Sequence, residues 1–158
     1  MTKTDKTGSQ KARNTAARLV AVQCVYDMAI AGKTAGHDAQ TVLAAYRDHR
    51  RGKTEEGVDY VPADMDLLAK IVRGVEEKRP ELLEIVQGAM DQRQGTSQPE
   101  ALLRSVLLCG AYEMLAHPDL DAALIIAEYN HVADAFFDGG ELKLVHAVLD
   151  RLNKALRG

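Results

Sequence analysis

The chain has 158 residues, near the size of one domain and too short for two full-size ones, so a single globular unit is expected. Twenty Lys and Arg against 23 Asp and Glu give a formal net charge of -3, which argues against a protein that coats nucleic acid by bulk charge. Only 4% of residues are aromatic, which argues against a platform that stacks several bases, while 46% hydrophobic and 27% charged residues are the mix of an ordinary soluble domain.

In chain order, residues 1–9 are polar and read as a flexible basic tail, leaving residues 10–158 as one helical domain. From about Lys11 to Ala31, the positions Ala17, Ala21, Cys24 and Met28 recur at the spacing of one buried helical stripe, and Gly32 ends it. A second helix spans about His37 to Arg51 on Val42, Leu43 and Tyr46, closing in His49, Arg50 and Arg51, where cations suit the negative end of the helix dipole. Residues 52–61 read as a polar loop. Pro62 is placed in the first turn of a third helix, whose stripe is Met65, Leu68, Ala69 and Val72. Pro80 breaks or restarts the pattern, and Leu82, Leu83, Ile85, Val86 and Met90 form the next apolar face.

Ser97-Gln98-Pro99-Glu100 fits a capping box, introducing the most apolar helix, about Pro99 to Leu115, expected at the centre of the core. His117-Pro118-Asp119 stops it. Asp121 or Asp119 caps the next helix, about Ala122 to Phe137; after Asp138-Gly139-Gly140 a last amphipathic helix runs from Glu141 to about Leu156. No segment alternates with a two-residue period between turn signals, so the fold class is all-α, with about seven helices and no sheet.

Cys24 and Cys109 sit in apolar helical patterns and read as core side chains. No N-terminal apolar region and no membrane-length apolar run occurs, so the cytoplasm is the expected compartment. Glu128 and His131 make one Glu-x-x-His pair, which a di-metal bundle would need twice, so no metal site is expected. No Gly-x-Ser-x-Gly, Walker loop or Gly-x-Gly-x-x-Gly is present; neither an enzyme nor a bound cofactor is expected.

Charge is unevenly placed. Residues 1–18 carry Lys3, Lys6, Lys11, Arg13 and Arg18 against Asp5, a balance of +4 that leaves -7 for residues 19–158. At roughly 100° per residue, Lys11 and Arg18 fall on nearly the same face of the first helix, with Arg13 on another side of it, and such a helix can set cations along phosphates.

Two stretches resemble the NusB family of bacterial transcription antitermination factors. The first is Arg13-Asn14-Thr15-Ala16-Ala17-Arg18 with its continuation Ala21-Val22-Gln23-Cys24-Val25-Tyr26. The second runs from Leu103 to Leu152 and includes Gly110-Ala111-Tyr112-Glu113-Met114, Ile125-Ile126-Ala127-Glu128-Tyr129 and Val145-His146-Ala147-Val148-Leu149-Asp150. The resemblance implies an all-helical pair of three-helix bundles with no catalysis. It also implies binding of boxA-type RNA from ribosomal operons, with the small-subunit ribosomal protein NusE, inside an RNA polymerase antitermination complex, and it allows a homodimer. By position, the RNA contacts fall on Arg13 and Arg18; Lys143 matches a basic position near the RNA-facing turn, and Lys11 joins them on charge grounds. Departures from the family's pattern stand at Asn14, where it often pairs arginines, at Leu108 for an arginine, at Asp121 for a usual proline, at Ala127 for an asparagine, and at His146 and Ala147 for Asn-Gly. The alternative they raise is a paralogue of the same fold acting as a protein-protein adaptor with reduced or no boxA binding, for which Leu108 would be a surface patch if exposed and a packing change if buried.

Overall fold

The computed structural model describes residues 8–31, 38–51, 54–55, 58–59, 61–90 and 100–157, with only the backbone described at 54–55 and 58–59. Seven helices are found among the described residues: α1 (Gln10–Ala31), α2 (Ala39–His49), α3 (Met65–Glu77), α4 (Arg79–Ala89), α5 (Ala101–Ala116), α6 (Ala122–Asp134) and α7 (Gly140–Arg157). The all-α expectation holds, with one addition. Two-residue strands β1 (Thr54–Glu55) and β2 (Val58–Asp59) pair antiparallel, with Thr54 opposite Asp59 and Glu55 opposite Val58. Strands this short cannot display an alternating pattern, which is why the sequence reads the segment as loop only.

Contacts divide the chain into two compact units, residues 1–76 and 77–158. In the first, α1 packs on α2: Ala17, Ala21, Val22 and Val25 of α1 are buried, as are Val42, Leu43 and Tyr46 of α2. Asp38 caps α2, its carboxylate accepting from the Thr41 amide at 2.9 Å, and the Ala39 amide donates to Glu76 Oε2 at 2.8 Å. Helix α3 begins at Met65 rather than at Pro62. The reason is Asp64, whose backbone and side-chain oxygens take the free amides of Leu68 and Leu67. Leu68, Ile71, Val72 and Val75 form the buried stripe of that helix. Its approach is pinned from α2: the Ala63 amide donates to the Tyr46 hydroxyl at 3.0 Å, and Arg51 Nε donates to the Ala63 carbonyl at 3.2 Å.

In the second unit α4, α6 and α7 all pack against α5, and α7 also meets α4 and α6. Ten residues of α5 are buried, so the expectation that this helix is the centre of the core holds for this unit. Gly110 marks the closest approach. A Cβ there would stand 2.8 Å from Leu149 Cδ2 of α7, so a larger residue must displace that buried side chain. Tyr129, Ile125, Leu107, Leu149 and Leu152 are fully buried, each stabilising by about 1.5–3 kcal/mol relative to exposure. Pro80 lies in the first turn of α4, where its missing amide costs nothing, so it restarts the helical pattern as expected. Helix α5 starts at Ala101 after Glu100, which makes no side-chain cap bond; Ser97 to Pro99 of the expected capping box lie outside the described residues, as do Gly32, His37 and the tail before Gly8. Asp121 occupies the N-cap of α6 with its backbone alone.

Candidate nucleic-acid interface

The basic segment is built around the start of α1. Ser9 caps the helix, its hydroxyl accepting from the Ala12 amide at 3.1 Å and its carbonyl from the Arg13 amide at 2.9 Å. Gly8 precedes it with φ of +78°, and a Cβ at that position would meet Val61 Cγ1 at 2.9 Å. The chain therefore enters α1 pressed against the segment that leads into α3, in a conformation glycine adopts without strain.

That segment also holds the first turn. The Asp64 amide donates to the Arg13 carbonyl at 3.0 Å, and Gln10 Nε2 donates both to Asp64 Oδ2 and to Asn14 Oδ1, each at 2.8 Å. The Leu67 amide, the Gln10 side chain and the nearby Arg13 charge hold the Asp64 carboxyl below the usual carboxylate range, so it stays ionised at neutral pH.

The expected cations fare differently. Lys11 is exposed. Arg13 is half-buried, and its Nε is a buried side-chain nitrogen with no hydrogen-bond partner. Arg18 is only 4% exposed and its interactions lie within the fold. This corrects the expectation that Arg18 shares an open face with Lys11: the helix face is open at the first turn and covered two turns later. Lys143 is exposed near the start of α7, in the second unit.

The altered family positions also separate by burial. Leu108 is fully buried in α5, so its replacement of an arginine is a packing change and offers no surface patch. Asn14 belongs to the hydrogen-bonded turn just described. Ala127 and His146 are exposed, and Asn130 Nδ2 stands 2.9 Å from His146 Nδ1, linking α6 to α7.

Some polar groups escaped the sequence reading. Glu113, fully buried, accepts from the Tyr129 hydroxyl and lies 3.0 Å from His117 Nδ1. Arg157 donates to the carbonyls of Met114, His117 and Leu120, closing the end of α5. Partners four residues along a helix could have hinted at Glu113 and His117; nothing in the sequence points Arg157 at three carbonyls 37 to 43 residues away.

Among the described residues no group of three His, Cys, Asp or Glu could hold a metal ion, and His131 is exposed. A cavity of about 530 Å³ between α1 and α2 is lined by Cys24, Tyr26, Ile30, Val42, Tyr46 and Arg50 among others. Burial there pushes the Cys24 thiol up to about 12, so it is protonated and a poor nucleophile. No described helix is long and apolar enough to cross a membrane.

Comparison with known proteins gives a consistent result. The NusB family model matches residues 15–154. A transcription antitermination protein NusB of Rhizobium rhizogenes is 38% identical over 153 residues, covering 97% of this chain and 91% of the relative. That of Agrobacterium fabrum is 38% identical over 143 residues, 90% of this chain and 84% of its own, and that of Sinorhizobium fredii 35% identical over 157 residues, 99% and 96%.

Proposed function

The chain belongs to the NusB family, whose relatives above are transcription antitermination proteins, and from that premise we propose that it binds boxA-type RNA of ribosomal operons together with the small-subunit ribosomal protein NusE. Its role is in transcription antitermination, exercised by binding rather than catalysis. The observation that carries the RNA reading is the first turn of α1, where the basic segment enters the fold with Lys11 exposed and Arg13 half-buried. Either cation can pair with an RNA phosphate, and Lys11 and Arg13, about 200° apart around the helix, serve different sides of that turn. Lys143 of α7 is a further phosphate contact in this reading. Arg18, buried in the fold, is assigned a structural role rather than an RNA contact.

The acidic remainder, -7 over residues 19–158, suits a basic ribosomal protein as partner by charge complementarity, and the complex acts on RNA polymerase in the cytoplasm. The test is a titration of a boxA-type RNA and a scrambled RNA of equal length at low salt, with and without the ribosomal protein. Preference for the boxA-type strand, strengthened by the partner, is the expected result. Equal binding of both strands with the partner present would defeat the reading.

A further inference from the structure

We propose that Asp64 is a positioning residue for RNA binding: with Gln10 and Asn14 it clasps the first turn of α1, so that Lys11 and Arg13 meet the strand already ordered. The inference rests on the RNA-binding reading above and adds to it a residue that lies outside the basic helix and itself carries the charge that RNA repels.

The bonds run in one connected set. Asp64 donates its amide to the Arg13 carbonyl at 3.0 Å, and accepts from Gln10 Nε2 at 2.8 Å and from the Leu67 amide at 2.9 Å; Gln10 Nε2 donates its other hydrogen to Asn14 Oδ1 at 2.8 Å. One carboxylate thus caps α3 and grips α1 one residue after its own cap, Ser9. Without the clasp, the first turn of α1 is held by the Ser9 cap alone, at the part of a helix that frays. Val61 against Gly8 presses on the same turn from the residue before Pro62.

The clasp gives Asn14 a purpose. An arginine there would add a cation to the turn, but it would lack the acceptor oxygen that Gln10 uses. Asn14 thus gives the turn a neutral hydrogen-bonding link. Order matters to affinity because a ligand that must fix a loose turn loses that cost from its binding free energy.

Two substitutions at one position separate position from charge. Asp64→Asn can rebuild the clasp by reversing the amides of Gln10 and Asn14, and it removes a negative charge close to the strand. Asp64→Ala removes the carboxylate's hold on Gln10 and Leu67 and leaves only the backbone amide bond to the Arg13 carbonyl. Gln10→Ala unfastens the clasp without changing any charge and without touching the α3 cap. Binding of the boxA-type RNA is measured for all three in the full chain, with amide hydrogen exchange at Ala12 and Arg13 read in the free protein.

Asp64→Asn is expected to bind as tightly as the wild type or tighter, with both amides protected. Asp64→Ala and Gln10→Ala are expected to bind about five- to tenfold more weakly, the cost of ordering one residue's backbone, with faster exchange at Ala12 and Arg13. The salt dependence of Gln10→Ala should match the wild type, since no phosphate contact is lost. Wild-type affinity in Gln10→Ala despite faster exchange overturns the proposal, as does equal weakening of Asp64→Asn and Asp64→Ala. A wild-type protein that shows no preference for the boxA-type strand strikes instead at the functional reading on which the clasp rests.

Discussion

Counterion release offers a direct measure of which cations on α1 touch RNA. On a single strand, each neutralised phosphate contributes about -0.7 to the slope of log K against log salt. Lys11 and Arg13 are the α1 cations among the described residues that combine the first turn with access to solvent, whereas Arg18 is 4% exposed. Replacing Lys11 and Arg13 together by glutamine should therefore make the slope shallower by about 1.4. Between 50 and 200 mM salt, each lost cation then removes about a 2.6-fold drop in affinity, and the pair about a sevenfold drop. Arg18→Gln should leave the slope unchanged, showing its effect in thermal stability. The assay is fluorescence anisotropy with a labelled boxA-type RNA over a salt series, each variant first checked for wild-type helix content. A slope unchanged in Lys11→Gln/Arg13→Gln, or one that becomes shallower in folded Arg18→Gln as much as in Lys11→Gln, would refute the assignment of contacts by burial.

Leu108→Arg, which installs the family's residue at a fully buried site, should cost about 3 kcal/mol or more, read as a lower midpoint in urea; a wild-type midpoint would mean that the site opens to solvent. Arg157→Ala leaves the carbonyls of Met114, His117 and Leu120 without their guanidinium and should cost about 1–3 kcal/mol, with faster hydrogen exchange confined first to the end of α5. With its thiol pushed up to about 12, Cys24 should resist alkylation at pH 8 in the native protein and react once denaturant opens the first unit. Asp38, by its bonds to Thr41, and Asp64, by the Leu67 amide and Gln10, both titrate below their ordinary 3.8. Their contribution to stability is therefore present above that value and lost as pH falls through the lower folded values; Asp64→Asn should flatten that acid limb, and an unchanged acid transition would argue against the cap.

The helices themselves were legible because each announces its buried face by spacing. Ala17, Ala21 and Cys24 of α1 are buried where the stripe puts them, as are Leu68 and Val72 of α3 and Val145, Val148 and Leu149 of α7. Met28 and Ala69 are only half-buried, so a regular stripe locates a face without fixing the depth of each residue. Boundaries were less legible where a cap competes with a proline. Pro62 can open a helix, but Asp64 supplies the acceptor that two free amides require, and it decides the start of α3.

The basic character of α1 and the family signature at both ends of the chain are properties of order and composition, and the sequence by itself determined them. Which cations remain available is a property of what covers them. Lys11 and Arg18 are equivalent on a helical wheel, yet one is exposed and the other lies in the interior, because a wheel records angle and carries no knowledge of neighbours. The same holds for Asp64. It stands 50 residues beyond Asn14, and only folding brings its carboxylate to the Gln10 amide and its own amide to the Arg13 carbonyl. Contacts of that separation depend on how α1 and the start of α3 pack, and that packing is decided by tertiary structure alone.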